Sequence, residues 1–429
     1  MRRVVLENAT CALLALAGSV SVAWLGLQEI AWGGDYEQEA RPAFEALAHG
    51  HLLSFLQRVP AYGGSLVERA PFALVPGLWG GGEQWVFRLV AVPALIAGAA
   101  LGIWLVARLR SKQRSALIKL AALSLCVLNP LTLRAIEFGH PEELLGAVLC
   151  VWAVLLAQRG RAVSAGIVLG LAIANKEWAL LAVGPALLAL PSRRMLMMLC
   201  SGVAAALVLA PLALVGGGGF VAGARASALP GATIFQPMQV FWFFGHHSAQ
   251  AAHLLGAAKR EYRLAPSWVS AISHPLVIAV AVPLTALAFG RRRRENHGPN
   301  GRATGSGGRA NPMLLLALLL LLRCMLDTWD NVYYPLPLVI ALLVWETCTL
   351  GRAPVLAVMA TALVWLIAWP SLGLPVDLQS ALFLAWSVPL AISLGVMLYL
   401  PGARARWRLP RRERSRELDR SLAVPRAAR

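Results

Sequence analysis

A chain of 429 residues that is 58% hydrophobic and 14% charged exceeds the roughly 45–50% apolar share of a soluble domain and calls for many membrane spans. Its net charge of +18 does not imply nucleic acid, because the arginines cluster between apolar runs and in the C-terminal tail, as the positive-inside rule expects. Continuous rather than alternating apolar runs argue against a β-barrel, and six cysteines without a CxxC pair argue against a zinc site or disulfide framework.

The composition predicts an all-α polytopic integral membrane protein with about 12 transmembrane helices (roughly 10–13), at roughly 20 apolar residues per span. Residues 1–9 form a basic N-terminus, and 10–31 the first span. That span lacks an A-x-A-like cleavage site and reads as a retained signal anchor. An outer loop over 32–85 leads to six spans within 86–215: 86–107, 115–134, 143–157, 162–175, 178–190 and 195–215. A long outer loop over 216–271 precedes span 272–290, and 291–311 is a Gly-rich basic flexible loop. Four spans fill 312–400 (312–326, 334–349, 354–372 and 378–400), and 401–429 is a basic tail suited to lipid headgroups. With the N-terminus inside, 28 of the 39 Lys and Arg fall on the cytoplasmic side. Both termini are therefore expected in the cytoplasm of a plasma-membrane protein.

Directly after the first span, Asp35, Glu37, Glu39 and Glu45 share eleven positions with Arg41. Tyr36, Ala40, Phe44, Leu47, Leu52, Phe55 and Leu56 fall on one helical face, which predicts helix lying in the membrane interface. Asp35 with Gln38 fits a capping box; a catalytic carboxylate is the other reading. Glu37, Glu39 and Glu45 suit a solvated face. Further along the loop, Arg69 either snorkels to headgroups or clamps phosphate bidentately.

In "RAIEFGHPEELLGAV", His140, Glu142 and Glu143 precede an apolar run, with Pro141 suited to a first helical turn. Lys176, in "IANKEWALL", joins two short apolar segments, where it either pairs with Glu177 or meets an anionic ligand. Arg323 lies inside "MLLLALLLLLRCMLDTWDNVYY", and an intramembrane charge is a functional candidate by default. Asp327, Asp330, Asn331, Tyr333 and Tyr334 follow it. The adjacent His246 and His247 point apart on a helix, so no metal site is expected there. The chain has no GxxxxGK[ST], HExxH or GxSxG.

The arrangement of spans and the acidic first outer loop resemble the GT-C superfamily of polytopic glycosyltransferases, closest to the polyprenol-phosphate-mannose-dependent glycosyltransferase family 87. "GHPEELLGAVLCVWAVLLAQRGRAVSAGIVLGLAIANKEWALLAVGP" keeps that family's order of motifs: Gly139, Gly166, Gly170, Lys176 and Pro185 match. His140 stands where the family has glutamine, and Glu142 or Glu143 where it has asparagine. "DTWDNVYYPLP" resembles the family's late motif, with Val332, Tyr333 or Tyr334 in place of its histidines. The resemblance implies transfer of a sugar, mannose first, with inversion. The donor would be a polyprenyl-phosphate sugar and the acceptor a lipid or glycan, on the extracytoplasmic side. It makes Asp35 the general base; a departing lipid phosphate needs cations, for which Arg69, Lys176 and Arg323 are the candidates. Glu37, His140, Glu142, His246, Asn331 and Tyr334 would line the pocket. Membrane lipids are the other partners, and no protein partner is indicated. No cofactor is obligatory, although Asp35 with Glu37 or Glu39 can hold a divalent cation. The competing functions are a lipid or solute transporter, which the lack of an internal repeat disfavours, and an inactive GT-C-like scaffold.

Overall fold

Backbone N–H and C=O groups in a bilayer have no water to bond, so the apolar runs close their hydrogen bonds internally as helices. The computed structural model describes residues 2–30, 35–60, 63–228, 234–247, 262–297, 311–369 and 372–400. Among them, six helical stretches are long and apolar enough to cross a membrane: Glu7–Gly26, Glu83–Ser111, Ala116–Glu137, Arg194–Gly217, Ser267–Arg294 and Val376–Tyr399. The first belongs to α1 (Arg2–Gly26). The second joins α5 (Glu83–Leu89) to α6 (Val92–Ser111). The third joins α7 (Ala116–Val127) to α8 (Pro130–Glu137). The other three fall within α12 (Arg194–Ala228), α13 (Ser267–His297) and α17 (Val376–Tyr399).

The other predicted spans fall on shorter helices. They are α9 (Glu142–Gln158), α10 (Ala162–Asn175), α11 (Val183–Ala189) with the 3₁₀ turn Glu177–Ala182 before it, α14 (Pro312–Leu326), α15 (Leu336–Val344) and α16 (Val355–Ile367). Of these, α9, α14 and α15 form the centre. Every residue of α15 is buried, as are most of α9 and α14, as expected of helices apolar on all sides. The longer helices turn apolar side chains outward, Leu207 of α12 at 74% exposure among them. Gly166 and Gly170 let α10 lie directly on α12, since a Cβ at either would sit 2.3 Å from the Met197 or Ser201 carbonyl oxygen. This is small-residue packing of the kind membrane helices favour.

Several boundaries differ from the sequence reading. Helix α12 continues to Ala228 through a break at Gly217 (φ 50°, ψ −129°), entering the predicted outer loop. Helix α13 runs to His297, so residues 291–297 of the predicted flexible loop are helical. Residues 298–310 and the tail 401–429 lie outside the described residues. The segment predicted as the second outer loop also holds a two-residue antiparallel pair, β1 (His246–His247) with β2 (Arg263–Leu264).

The predicted interfacial helix is broken into three pieces. A π-helical turn covers Tyr36–Ala40, α2 covers Arg41–Ala48 and α3 covers Leu52–Arg58, with Gly50 left-handed (φ 76°) between the last two. Tyr36, Ala40, Phe44, Leu47 and Phe55 are buried against Val86, Phe87 and Leu212. Most of the predicted apolar face is thus used inside the protein, with Tyr36 edge-on to Phe87 at 4.6 Å, while Leu52 of that face is 58% exposed.

Candidate functional site

Two local features of the chain bring distant charges together. Helix α8 ends at Gly139 (φ 87°), where the Gly139 and His140 amides bond back to the Ile136 and Ala135 carbonyls. This is a left-handed helix stop. A Cβ at Gly139 would lie 2.5 Å from Tyr36 Cβ, so glycine permits the close approach that sets His140 beside Asp35. At the other side, α4 (Gly64–Leu74) touches α10 through Gly64, whose missing Cβ would fall 2.1 Å from the Ala174 carbonyl oxygen. That contact holds Arg69 near the start of α9.

Asp35 has helical backbone angles and makes no capping hydrogen bond, so the capping box does not form. Its Oδ2 instead accepts from His140 Nε2 at 2.8 Å. His140 Nδ1 lies 2.7 Å from Glu142 Oε1. Glu142 also meets Arg69 Nη2 at 3.0 Å and Lys176 Nζ at 3.5 Å. Arg69, 1% exposed, donates further to the Ser65 carbonyl and hydroxyl. Lys176 sits at an extended break (φ −154°, ψ 134°) between α10 and the 3₁₀ turn. Burial disfavours the charged imidazole of His140. The Glu142 carboxylate and the hydrogen bonds to Asp35 and Glu142 outweigh that burial and hold its pKa up to about 9. His140 is therefore an imidazolium at neutral pH that donates to both carboxylates.

These groups line a small cleft that opens to solvent. Asp35, Glu39, Glu142, Arg69, Lys176 and His140 line it, together with Pro60, Gly63 and Leu66. Asp35 is the more open end of the chain, its side chain 42% exposed against 5% for Glu142. The cleft thus offers an accessible carboxylate oriented by an imidazolium, backed by buried Arg69 and half-buried Lys176, both paired with Glu142.

Glu143 begins a second cluster. Trp178 Nε1 donates to it at 3.3 Å, and Arg323 Nη1 lies 3.6 Å away. Arg323 stacks over Trp178 and Tyr334, at 4.9 and 4.5 Å, and donates to the Tyr334 carbonyl. Of the cations predicted for phosphate, Arg69 and Lys176 line the cleft, while Arg323 is engaged with Glu143 outside its lining. Glu37 pairs with Arg41 at 3.3 Å. His246 is exposed on β1. The Asn331 amide donates to the Tyr333 hydroxyl, and Tyr333 lies against the His140 ring, centroids 5.2 Å apart. Glu37, His246, Asn331 and Tyr334 are not among the residues lining the cleft.

The Glu143–Arg323 pairing was not anticipated, nor was His274 of α13, whose Nε2 lies 3.6 Å from Asp327 Oδ1. Its one signal in the sequence was a titratable residue directly before Pro275 within an apolar run. Among the described residues, no group of three or more His, Cys, Asp and Glu is placed to hold a metal ion.

The fold and the cleft together define an all-α membrane protein whose buried ionic cluster opens to solvent at one carboxylate. No protein-family model matches the chain, and no curated protein matches it.

Proposed function

We propose that the protein is a GT-C-like membrane glycosyltransferase of about 12 spans, counting roughly 20 apolar residues for each full crossing. It transfers a sugar, mannose first, from a polyprenyl-phosphate donor to a lipid or glycan acceptor on the outer face of the plasma membrane. The observation that carries the reading is the cleft that Asp35, held by His140, lines together with Arg69 and Lys176. Asp35 accepts the proton of the acceptor hydroxyl as that oxygen attacks the anomeric carbon. The bond from that carbon to the donor phosphate breaks with its electron pair leaving on phosphate, and the configuration inverts. Arg69 and Lys176 offset the charge that grows on the departing phosphate. His140 is a positioning residue: it occupies Asp35 Oδ2 and leaves Oδ1 for the hydroxyl.

Transport needs a passage through the protein. The floor of this cleft is closed by Arg69 and Glu142, 1% and 4% exposed, which favours chemistry at a surface site. The test is incubation of purified protein with radiolabelled polyprenyl-phosphate mannose and a lipid extract, comparing wild type with Asp35→Asn. A labelled glycolipid formed by the wild type alone supports the reading, and equal transfer by both removes Asp35 as the base.

A further inference from the structure

Most of the apolar face predicted to lie on the membrane is packed inside the protein, Leu52 excepted, yet the same loop exposes a second apolar surface. Residues 70–82, "APFALVPGLWGGG", carry no charged side chain. Leu74, Leu78 and Trp79 are 48%, 84% and 54% exposed, and Trp85 just beyond them is 45% exposed. The tip is shaped rather than loose. A 3₁₀ turn over Val75–Trp79 ends at left-handed Gly80 (φ 73°), and Trp79 meets Trp85 edge-on at 6.1 Å.

Its position is fixed against two spans. Gln84 and Arg88 both donate to the Leu27 carbonyl, at 2.9 and 3.1 Å, just beyond the end of α1. The apolar stretch Glu83–Ser111 starts immediately after the tip. The tip therefore stands where one span ends and the next begins, at the level of a lipid–water boundary. Tryptophan prefers that level, with its ring among acyl chains and its N–H toward headgroups. Arg88 stacks on Trp85 at 5.1 Å, so its charge lies beside the indole rather than across the exposed Leu78–Trp79 surface.

We propose that the 74–85 tip is a membrane-docking element, with Leu78 and Trp79 seated in the lipid leaflet that meets the ends of these two spans. Its partner is the bilayer itself, at the border of headgroups and acyl chains. It anchors the α4 end of the cleft wall, and so fixes the height of the cleft above the membrane.

The test places an environment-sensitive fluorophore on the full chain in phosphatidylcholine vesicles, at Leu78→Cys and separately at Trp79→Cys. His49→Cys, exposed on the same loop, is the water-facing control. Labelled wild type supplies the background from the six native cysteines, four of them buried. The expected result is emission shifted to the blue at positions 78 and 79, quenched by nitroxide-labelled lipid and protected from aqueous iodide, with the opposite pattern at 49. Iodide quenching at 78 and 79 as strong as at 49 overturns the proposal. Two tip positions guard against one variant that folds poorly. The readout is independent of any transfer reaction, so it stands or falls apart from the proposed chemistry.

Discussion

Replacing His140 with Gln removes the only cation between Asp35 and Glu142 among the described residues lining the cleft, while keeping a side chain of similar length. The pKa of about 9 against an ordinary 6.5, at 1.36 kcal/mol per pH unit, corresponds to about 3 kcal/mol favouring the folded imidazolium. This is an upper figure, because the Asp35 partner is 42% exposed and water screens its share. Because the pKa is raised in the folded state, this stabilisation is fully present below about pH 6.5. It declines as the pH rises and is gone once it passes about 9. The assay is chemical unfolding in detergent from pH 5.5 to 10, taking the stability of wild type minus that of His140→Gln at each pH. The difference should be flat at the acid end and shrink by up to about 3 kcal/mol between about pH 6.5 and 9.5. A difference that stays level across the whole range would refute the doubly bonded imidazolium.

Other consequences follow from the same packing. Arg323→Met leaves Glu143, 1% exposed, as a buried charge without its cation, and should cost about 3–5 kcal/mol in unfolding experiments. Combining it with Glu143→Leu should recover most of that loss, because the two residues act as one unit. Gly139→Ala forces a Cβ to 2.5 Å from Tyr36 at a left-handed backbone position. It should cost about 1–3 kcal/mol and loosen the Asp35–His140 contact, read by hydrogen exchange of the 35–41 amides. Gly166→Leu, which overfills the contact of α10 with α12, should lower the stability to unfolding in detergent by about 1–3 kcal/mol.

The all-α class was legible because continuous apolar runs have few other solutions in a bilayer. The break at Lys176 was legible too, as two short runs meeting at "NKEW", and it became the extended residue between α10 and the 3₁₀ turn. Asp35 was singled out by the acidic cluster after the first span and by the family resemblance, and Arg69, His140, Glu142 and Lys176 by charge beside apolar runs; the structure gathers them into one cleft. Their contacts were not legible. Asp35 and His140 are 105 residues apart in the chain, and nothing local to "GGDYEQ" distinguishes a carboxylate that caps a helix from one that bonds a distant imidazole. Arg323 shows the same limit: its charge marked it, but its commitment to Glu143 and Trp178 depends on how α9 and α14 pack. The amphipathic pattern over 36–56 found Tyr36, Ala40, Phe44, Leu47 and Phe55, which are buried, but not the break at Gly50 or the exposure of Leu52. Periodicity alone does not say whether such a face meets lipid or protein, and here it meets Phe87 and Leu212.

The central claim is that Asp35 is the base of a sugar transfer from a polyprenyl-phosphate donor. Its most direct measurement is the appearance of radiolabelled glycolipid from polyprenyl-phosphate mannose with purified wild type and with Asp35→Asn, both checked for equal folding. The account predicts product from the wild type and none above background from Asp35→Asn. Equal product from both proteins would contradict the role of Asp35, and no product from a folded wild type, supplied with donor and acceptor lipids, would contradict the mannose transfer itself.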